Sequence, residues 1–321
     1  MFLFVVLTVS VYGADTTSSP SQTTPRERVR FEASYAVSPG TPSHGFFNWL
    51  LGFLFGSVDR ELPSLTKPSG VAFDRAGNVI VSDLASAHVY VIPRDSTPWR
   101  RLDIEDGAVF QVPVAVATVG DTVLVVDAVA KTITMLDLQG KVLATLHPEM
   151  RRPSALCVDA RAIYVVDAVG DEVQMLDRSG KVIRKFGLKG DSADAFNTPT
   201  NIAVDHDTLC IVDAMNFRVS LFTVDGKYLR SVGKAGDAPG SISRPKCIAI
   251  DAQGNMFVVD ALQGRVQVFS KQGDFLMTIG SEGVDAPGRF QLPCGIAIAS
   301  NGRIAVADSY NHRVQVFQYM P

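Results

Sequence analysis

The sequence predicts an all-β fold, a six-bladed β-propeller of four-stranded antiparallel blades closed by an N-terminal strand, and two observations carry this. The first is a repeat. Proline opens a short apolar run at Pro68, Pro113, Pro153, Pro199, Pro245 and Pro293, and 14 or 15 residues later an aspartate closes another, at Asp83, Asp127, Asp167, Asp213, Asp260 and Asp308. Successive prolines lie 45, 40, 46, 46 and 48 residues apart, the period of a propeller blade or solenoid unit. The second is a deficit: the sixth copy stops at Phe317 to Pro321, after its third strand. An unpaired edge there would be a template for aggregation. The alternating segment Arg28-Val29-Arg30-Phe31-Glu32-Ala33-Ser34-Tyr35 precedes the first copy and is expected, within residues 28–36, to supply the missing outer strand.

Blade 5 shows why each unit should form four strands. Pro245 to Asp251, Met256 to Asp260, Val266 to Phe269 and Asp274 to Ile279 are short, β-branched or aromatic runs, separated by Gly254-Asn255, Gly264-Arg265 and Gln272-Gly273. The first two strands are apolar on both faces, as sheets packed between neighbouring blades require. The third strand repeats too: Val89, Ile133, Val173, Val219, Val266 and Val314 stand six residues after each aspartate. All six prolines, all six aspartates and the loops after them fall at one edge, the mouth face; the turns between first and second strands fall on the opposite face. Residues 68–321 are thus one domain of six blades.

The remainder is N-terminal. Met1 to Tyr12 is an apolar run followed by Gly13-Ala14, long enough for a secretory signal and short of the ~20 residues of a membrane helix. Residues 1–13 are expected to be a signal peptide, and the protein to be exported, periplasmic or secreted. The first basic residue is Arg26, so either the signal is atypical or the true start lies upstream of Met1. No cysteine follows the apolar run to carry a lipid. Residues 14–27, rich in Ser, Thr and Pro, read as a flexible linker. Residues 37–67 form an insert whose segment 46–55 contains eight large apolar residues, among them Phe46, Trp49 and Phe53. It reads as a helix packed on the propeller, a lid over the mouth, or a docking patch for a protein or membrane surface.

The run Asp308-Ser309-Tyr310-Asn311-His312-Arg313-Val314-Gln315-Val316-Phe317 resembles an NHL repeat, with Arg313 in place of its leucine. Asp213-Ala214-Met215-Asn216-Phe217-Arg218-Val219 is similar, as are the linkers Gly187-x-x-Gly190 to Phe196-x-x-Pro199 and Gly280-x-x-Gly283 to Phe290-x-x-Pro293. The resemblance spans residues 68–317. It is strong in blades 4–6 and weak in blades 1–3, where His88, Thr132 and Glu172 hold the arginine position. It implies an exported bacterial binding protein, a receptor sensor domain, the substrate-binding end of a tripartite-motif ubiquitin ligase, or a peptide-amidating lyase.

Candidate function concentrates on the mouth face, because binding groups sit on loops held by a rigid frame. The slots directly after each proline vary most: Ser69, Val114, Ser154, Thr200 with Asn201, Lys246, and Cys294. They are expected to line the channel and to recognise a protein, peptide or envelope component, with no cofactor. The alternative is a metal-dependent lyase or hydrolase, peptide-amidating-lyase-like or lactonase-like, on the same face. For a Ca or Zn site the candidates are Asp213, Asp260 and Asp308. The competing assignment, which we prefer, has each aspartate bonding loop N–H groups and, in blades 4–6, pairing with Arg218, Arg265 or Arg313. The five histidines are scattered over linkers, a turn and two loops, and no glutamate of the repeats stands at the start of a first strand, as a lactonase-type metal site would need. A net charge of −3 and a pI near 6.0 give no basic face for nucleic acid. The four cysteines match no zinc spacing; Cys247 and Cys294 would form a disulfide only if neighbouring blades brought them together. A monomer is expected.

Overall fold

The structure, a computed structural model, describes residues 28–36, 63–95, 98–102, 104 and 109–320. The segments read as signal peptide (1–13) and linker (14–27) and most of the insert (37–62), with Phe46, Trp49 and Phe53, lie outside the described residues apart from the insert's last five residues, 63–67.

Six four-stranded antiparallel sheets form the propeller. Blade 3 is representative, with strands Pro153–Val158, Ile163–Asp167, Glu172–Leu176 and Val182–Phe186 in that order from axis to rim. The second strand is buried along its whole length in blades 1, 3, 5 and 6, and in all but its first residue, Thr122 or Thr208, in blades 2 and 4, because it packs on sheets at both faces. The outermost strand is more open, with half-buried and exposed residues alternating along most of Val142–Leu146. The innermost strands touch one another around the ring, from Pro68–Phe73 through each blade to Ile296–Ile298 and back.

Closure follows the expected route. Val29–Tyr35 pairs antiparallel with Arg313–Tyr319, from Val29 opposite Tyr319 to Tyr35 opposite Val314, and so becomes the outer strand of blade 6. Phe31 stacks edge-on against the fully buried Phe317, which also meets Phe290. The register shifts between Phe31 and Ala33, so Glu32 is the extra residue of a bulge. Its carboxylate accepts from Arg303 Nε at 2.9 Å, while Arg303 Nη1 donates to the Gly77 carbonyl of blade 1 at 2.8 Å and the guanidinium lies over the Phe73 ring. One buried arginine thereby ties the N-terminal strand, blade 6 and blade 1 together. At the mouth edge of the same seam, the Ser309 hydroxyl donates to the Pro68 carbonyl and His312 Nδ1 meets the Thr66 carbonyl.

The prolines mark a second irregularity, one that alternation in the sequence did not reveal. In blades 2–5 the register between first and second strands slips directly after the proline, so that Val114, Ser154, Thr200 and Lys246 are each the extra residue of a bulge; in blade 1 the slip takes in Ser69 and Gly70. In blade 6 the Cys294 N–H donates to the Ala307 carbonyl and the Ala307 N–H to the Gly295 carbonyl, two residues facing one. A bulge re-aims a side chain out of the pleat, and here it turns the slot residues toward the axis. In blades 1 and 6 the position after the slot has no room for a side chain. A Cβ on Gly295 would sit 2.0 Å from the Ser69 carbonyl oxygen, and one on Gly70 would sit 2.8 Å from Ala115 Cα.

Candidate functional site

A cavity of about 1000 Å³ occupies the propeller axis. Its wall is built by the six innermost strands and reaches from the loops between second and third strands (the b–c loops) of the mouth face (Leu84, Ala128, Val129, Ala168) to Asp74, Arg75 and Ser300 at the opposite end. Ser69, Val114, Ser154, Thr200, Asn201, Lys246 and Cys294 all line it. The bulge after each proline is what brings these residues, from six separate blades, around one space.

Several of their polar atoms are already engaged between blades. Ser69 Oγ donates to the Val114 carbonyl at 2.9 Å, Thr200 Oγ1 to the Lys246 carbonyl at 3.0 Å, and Asn201 Oδ1 accepts from the Ile248 N–H at 3.2 Å. These bonds tie the inner strand of blade 1 to that of blade 2, and the inner strand of blade 4 to that of blade 5. What they leave for a ligand is the Lys246 ammonium, the Asn201 amide N–H groups and the Ser154 hydroxyl, whose bond to the Val166 carbonyl is long at 3.5 Å. The charged lining residues are Arg75, Arg152, Lys246 and Asp74. Asp74 is committed to its own turn, accepting from Asn78 N at 2.8 Å and Nδ2 at 2.7 Å. Lys246 and Arg152 make no ion pair among the described residues.

The strand-end aspartates stand apart from the cavity. All six are fully buried and their oxygens are taken. In blade 1 the Asp83 carboxylate accepts from Thr66, Lys67, Ala85 and Ser86 N–H, and Asp127 and Asp167 repeat the pattern. In blade 4, Asp213 accepts from Asn197 N–H, Asn216 Nδ2 and Arg218 Nε; in blade 6, Asp308 accepts from Gln291 N–H, Asn311 Nδ2, Arg313 Nε and Gln315 Nε2. Blade 5 is looser, with Asp260 taking the Ser243 and Arg244 N–H groups and lying 3.8 Å from Arg265. Burial raises the Asp213 carboxyl above its ordinary range, more than Asn197, Asn216 and Arg218 together lower it. For Asp167 burial also pushes upward, but the N–H groups of Arg151, Arg152, Gly170 and Val169 outweigh it and hold the carboxyl below its ordinary range.

Asp213, Asp260 and Asp308, the metal candidates, are thus structural anchors of three different blades. Among the described residues no three His, Cys, Asp or Glu side chains converge as metal ligands. His206 pairs with its neighbour Asp205 on the opposite face, and His312 serves the seam. All four cysteines are free thiols; Cys247 and Cys294 both line the cavity, where burial raises the Cys247 thiol to about 12.

A family profile described as the NHL repeat matches residues 290–317, from the end of the linker through the first, second and most of the third strand of blade 6. No curated protein matches the sequence. Among solved structures, a protein of unknown function from Bacteroides thetaiotaomicron is similar at TM-score 0.67 and 14% identity, over 80% of this chain and 70% of its own. A gluconolactonase from Xanthomonas campestris gives TM-score 0.62 and 17% identity, over 80% and 87%. Virginiamycin B lyase from Staphylococcus aureus gives TM-score 0.56 and 14% identity, over 79% and 96%. At these identities the likeness is one of fold.

Proposed function

We propose that this chain is an exported binding scaffold that takes a protein, peptide or envelope component into the mouth of its axial cavity. The observation that carries the reading is the bulge after each proline, which turns the most variable side chain of every blade into one shared space of about 1000 Å³. A constant frame presenting a variable lining is the arrangement of a recognition surface. Nothing in the lining forms a nucleophile–base pair: the hydroxyls of Ser69 and Thr200 are bonded to backbone carbonyls.

The second reading, a metal-dependent lyase or hydrolase on the same face, draws on the shared fold with a gluconolactonase and virginiamycin B lyase. The donor set fits it poorly, since the carboxylates nearest the mouth are consumed by N–H groups and arginines. Two measurements separate the readings. Ser154→Trp fills the cavity wall from a slot whose hydroxyl holds only one long bond, and should abolish capture of a partner from envelope extract while leaving the melting temperature unchanged. Metal analysis of the purified protein should return no stoichiometric Zn or Ca. Stoichiometric metal that is lost with a lining substitution would overturn the scaffold reading.

A further inference from the structure

The loop after each strand-end aspartate is the same structure in all six blades. Its fourth residue is left-handed every time, at φ of 57°, 57°, 53°, 55°, 54° and 53° for Ala87, Lys131, Asp171, Phe217, Gly264 and His312. The second residue of that loop is therefore presented equivalently by each blade. It is Val129, Val169, Met215, Leu262 and Tyr310 in blades 2–6, with exposures between 45% at Val169 and 57% at Val129. Blade 1 has Ala85 there. Five consecutive blades thus hold a large apolar side chain in water at one loop position, and Val129 also lines the axial cavity. The opposite face differs: among the described residues its turns expose Val119 and Met320 as large apolar side chains, at 39% each. Isolated exposed apolar residues are ordinary, but one repeated at the same loop position of five consecutive blades gives a single face an apolar character that a contact surface would use.

Charge decides what meets it. At the centre of this apolar ring the cavity wall carries Lys246 and Arg152 without ion pairs among the described residues, and none of the six strand-end aspartates lines it. A chain of net charge −3 thus sets three cationic side chains, Arg75, Arg152 and Lys246, against one carboxylate, Asp74, in its axial cavity. A second copy docked face to face would oppose Lys246 to Lys246. A flat bilayer would cover the ring but leave Lys246, which is half-buried in the wall, without a partner.

We infer that the mouth face binds a protruding acidic-apolar peptide segment, its carboxylate directed into the cavity toward Lys246 and its apolar side chains resting on Val129, Val169, Met215, Leu262 and Tyr310. The inference rests on the scaffold reading and narrows it to one class of partner.

The test is selection of a random short-peptide library on the immobilised full chain, followed by fluorescence anisotropy on the synthesised winners. Winners should carry Asp, Glu or a free C-terminal carboxylate beside large apolar residues. Each should bind at least ~10-fold more weakly to Lys246→Gln, and likewise to Met215→Asp/Leu262→Asp, with Val119→Asp on the opposite face unchanged. Winners that lose affinity on Met215→Asp/Leu262→Asp but not on Lys246→Gln would overturn the acidic partner and leave mouth-face binding standing. Winners indifferent to both variants, or no winners, would overturn the inference and the scaffold reading with it. Three further results would assign the ring to another occupant and overturn the inference: capture of anionic vesicles without peptide selection, a dimer dissolved by Leu262→Asp, or peptide binding that strengthens when residues 46–55 are deleted.

Discussion

In blade 3 the Asp167 carboxylate accepts four backbone N–H groups, from Arg151, Arg152, Val169 and Gly170; in blade 6 the Asp308 carboxylate accepts one backbone N–H, from Gln291, and three side-chain donors, Asn311, Arg313 and Gln315. The position and burial of the aspartate are alike. The donors differ because the linkers differ. Before blades 4–6 the chain runs through a loop that folds back on itself, bridging Lys189 to Phe196, Ala235 to Ile242 and Ser281–Glu282 to Arg289–Phe290. The loop carbonyls point inward and an arginine gathers them: Arg218 donates to Ser192 and Ala195, Arg313 to Ala286 and Arg289. Where such a loop is absent, the b–c turn brings its own N–H groups to the carboxylate. The aspartate is the constant of the blade, and the arginine belongs to the linker.

The largest expected effect follows from removing the constant where a guanidinium depends on it. Asp308→Ala leaves the buried Arg313 without its anion and should cost about 3–5 kcal/mol in chemical denaturation. Arg313→Met in the same background should restore part of that loss, because it removes the stranded charge. Asp167→Asn strands no charge and should cost about 2–3 kcal/mol, from N–H groups left short of an acceptor. Adding Arg151→Met should change little, since only the main chain of Arg151 bonds the carboxylate. A rescue in blade 3 as large as that in blade 6 would break the distinction.

Blade 5 sharpens it, being intermediate. Asp260 takes the two N–H groups just before its proline, as in blades 1–3, but none from the loop after it, and Arg265 still reaches its linker carbonyls at Asp237, Ala238 and Ser241. Its Nε is buried without a partner, and Nη2 stands 3.8 Å from the carboxylate. Arg265→Met should therefore cost at most about 1 kcal/mol, against about 2–3 kcal/mol for Arg313→Met, read as shifts in the denaturation midpoint. Equal costs would mean that the guanidinium works through the linker carbonyls alone.

The same contrast explains what could be read in the sequence. The Pro…Asp period and the truncated sixth copy were enough for blade number, strand order and closure, because period and strand count are matters of spacing. The NHL resemblance was plain only in blades 4–6, since it tracks the arginine and its linker while the fold needs neither. The bulge was hidden: Ser154 or Lys246 shows no break in apolar pattern, and only its variability among blades hinted that it leaves the pleat. The exposed ring was also present in the letters, as Val129, Val169, Met215, Leu262 and Tyr310 two residues after the aspartates of blades 2–6. It could not be weighed until the common left-handed turn showed that these side chains face water together. The Arg303–Glu32 clamp joins residues far apart in sequence, and nothing local announces it.

The smallest effect is a dependence on pH with opposite signs in the two halves. Asp167 is held below the ordinary carboxylate range, since four N–H bonds outweigh its burial. Its contribution to stability is therefore fully present above the unfolded-state pKa of about 3.9, and is lost as pH falls through the lower folded value. Asp213 lies above that range, because burial outweighs Asn197, Asn216 and Arg218. Its contribution is fully present below the unfolded pKa and lost as pH rises through the higher folded value. Denaturation across mildly to strongly acidic pH should accordingly show the stability gap between wild type and Asp167→Asn closing as pH falls, and that between wild type and Asp213→Asn moving in favour of wild type. Gaps that move in the same direction would show that the donor set does not govern these carboxylates, and the contrast between backbone-held and arginine-held blades would then be one of geometry alone.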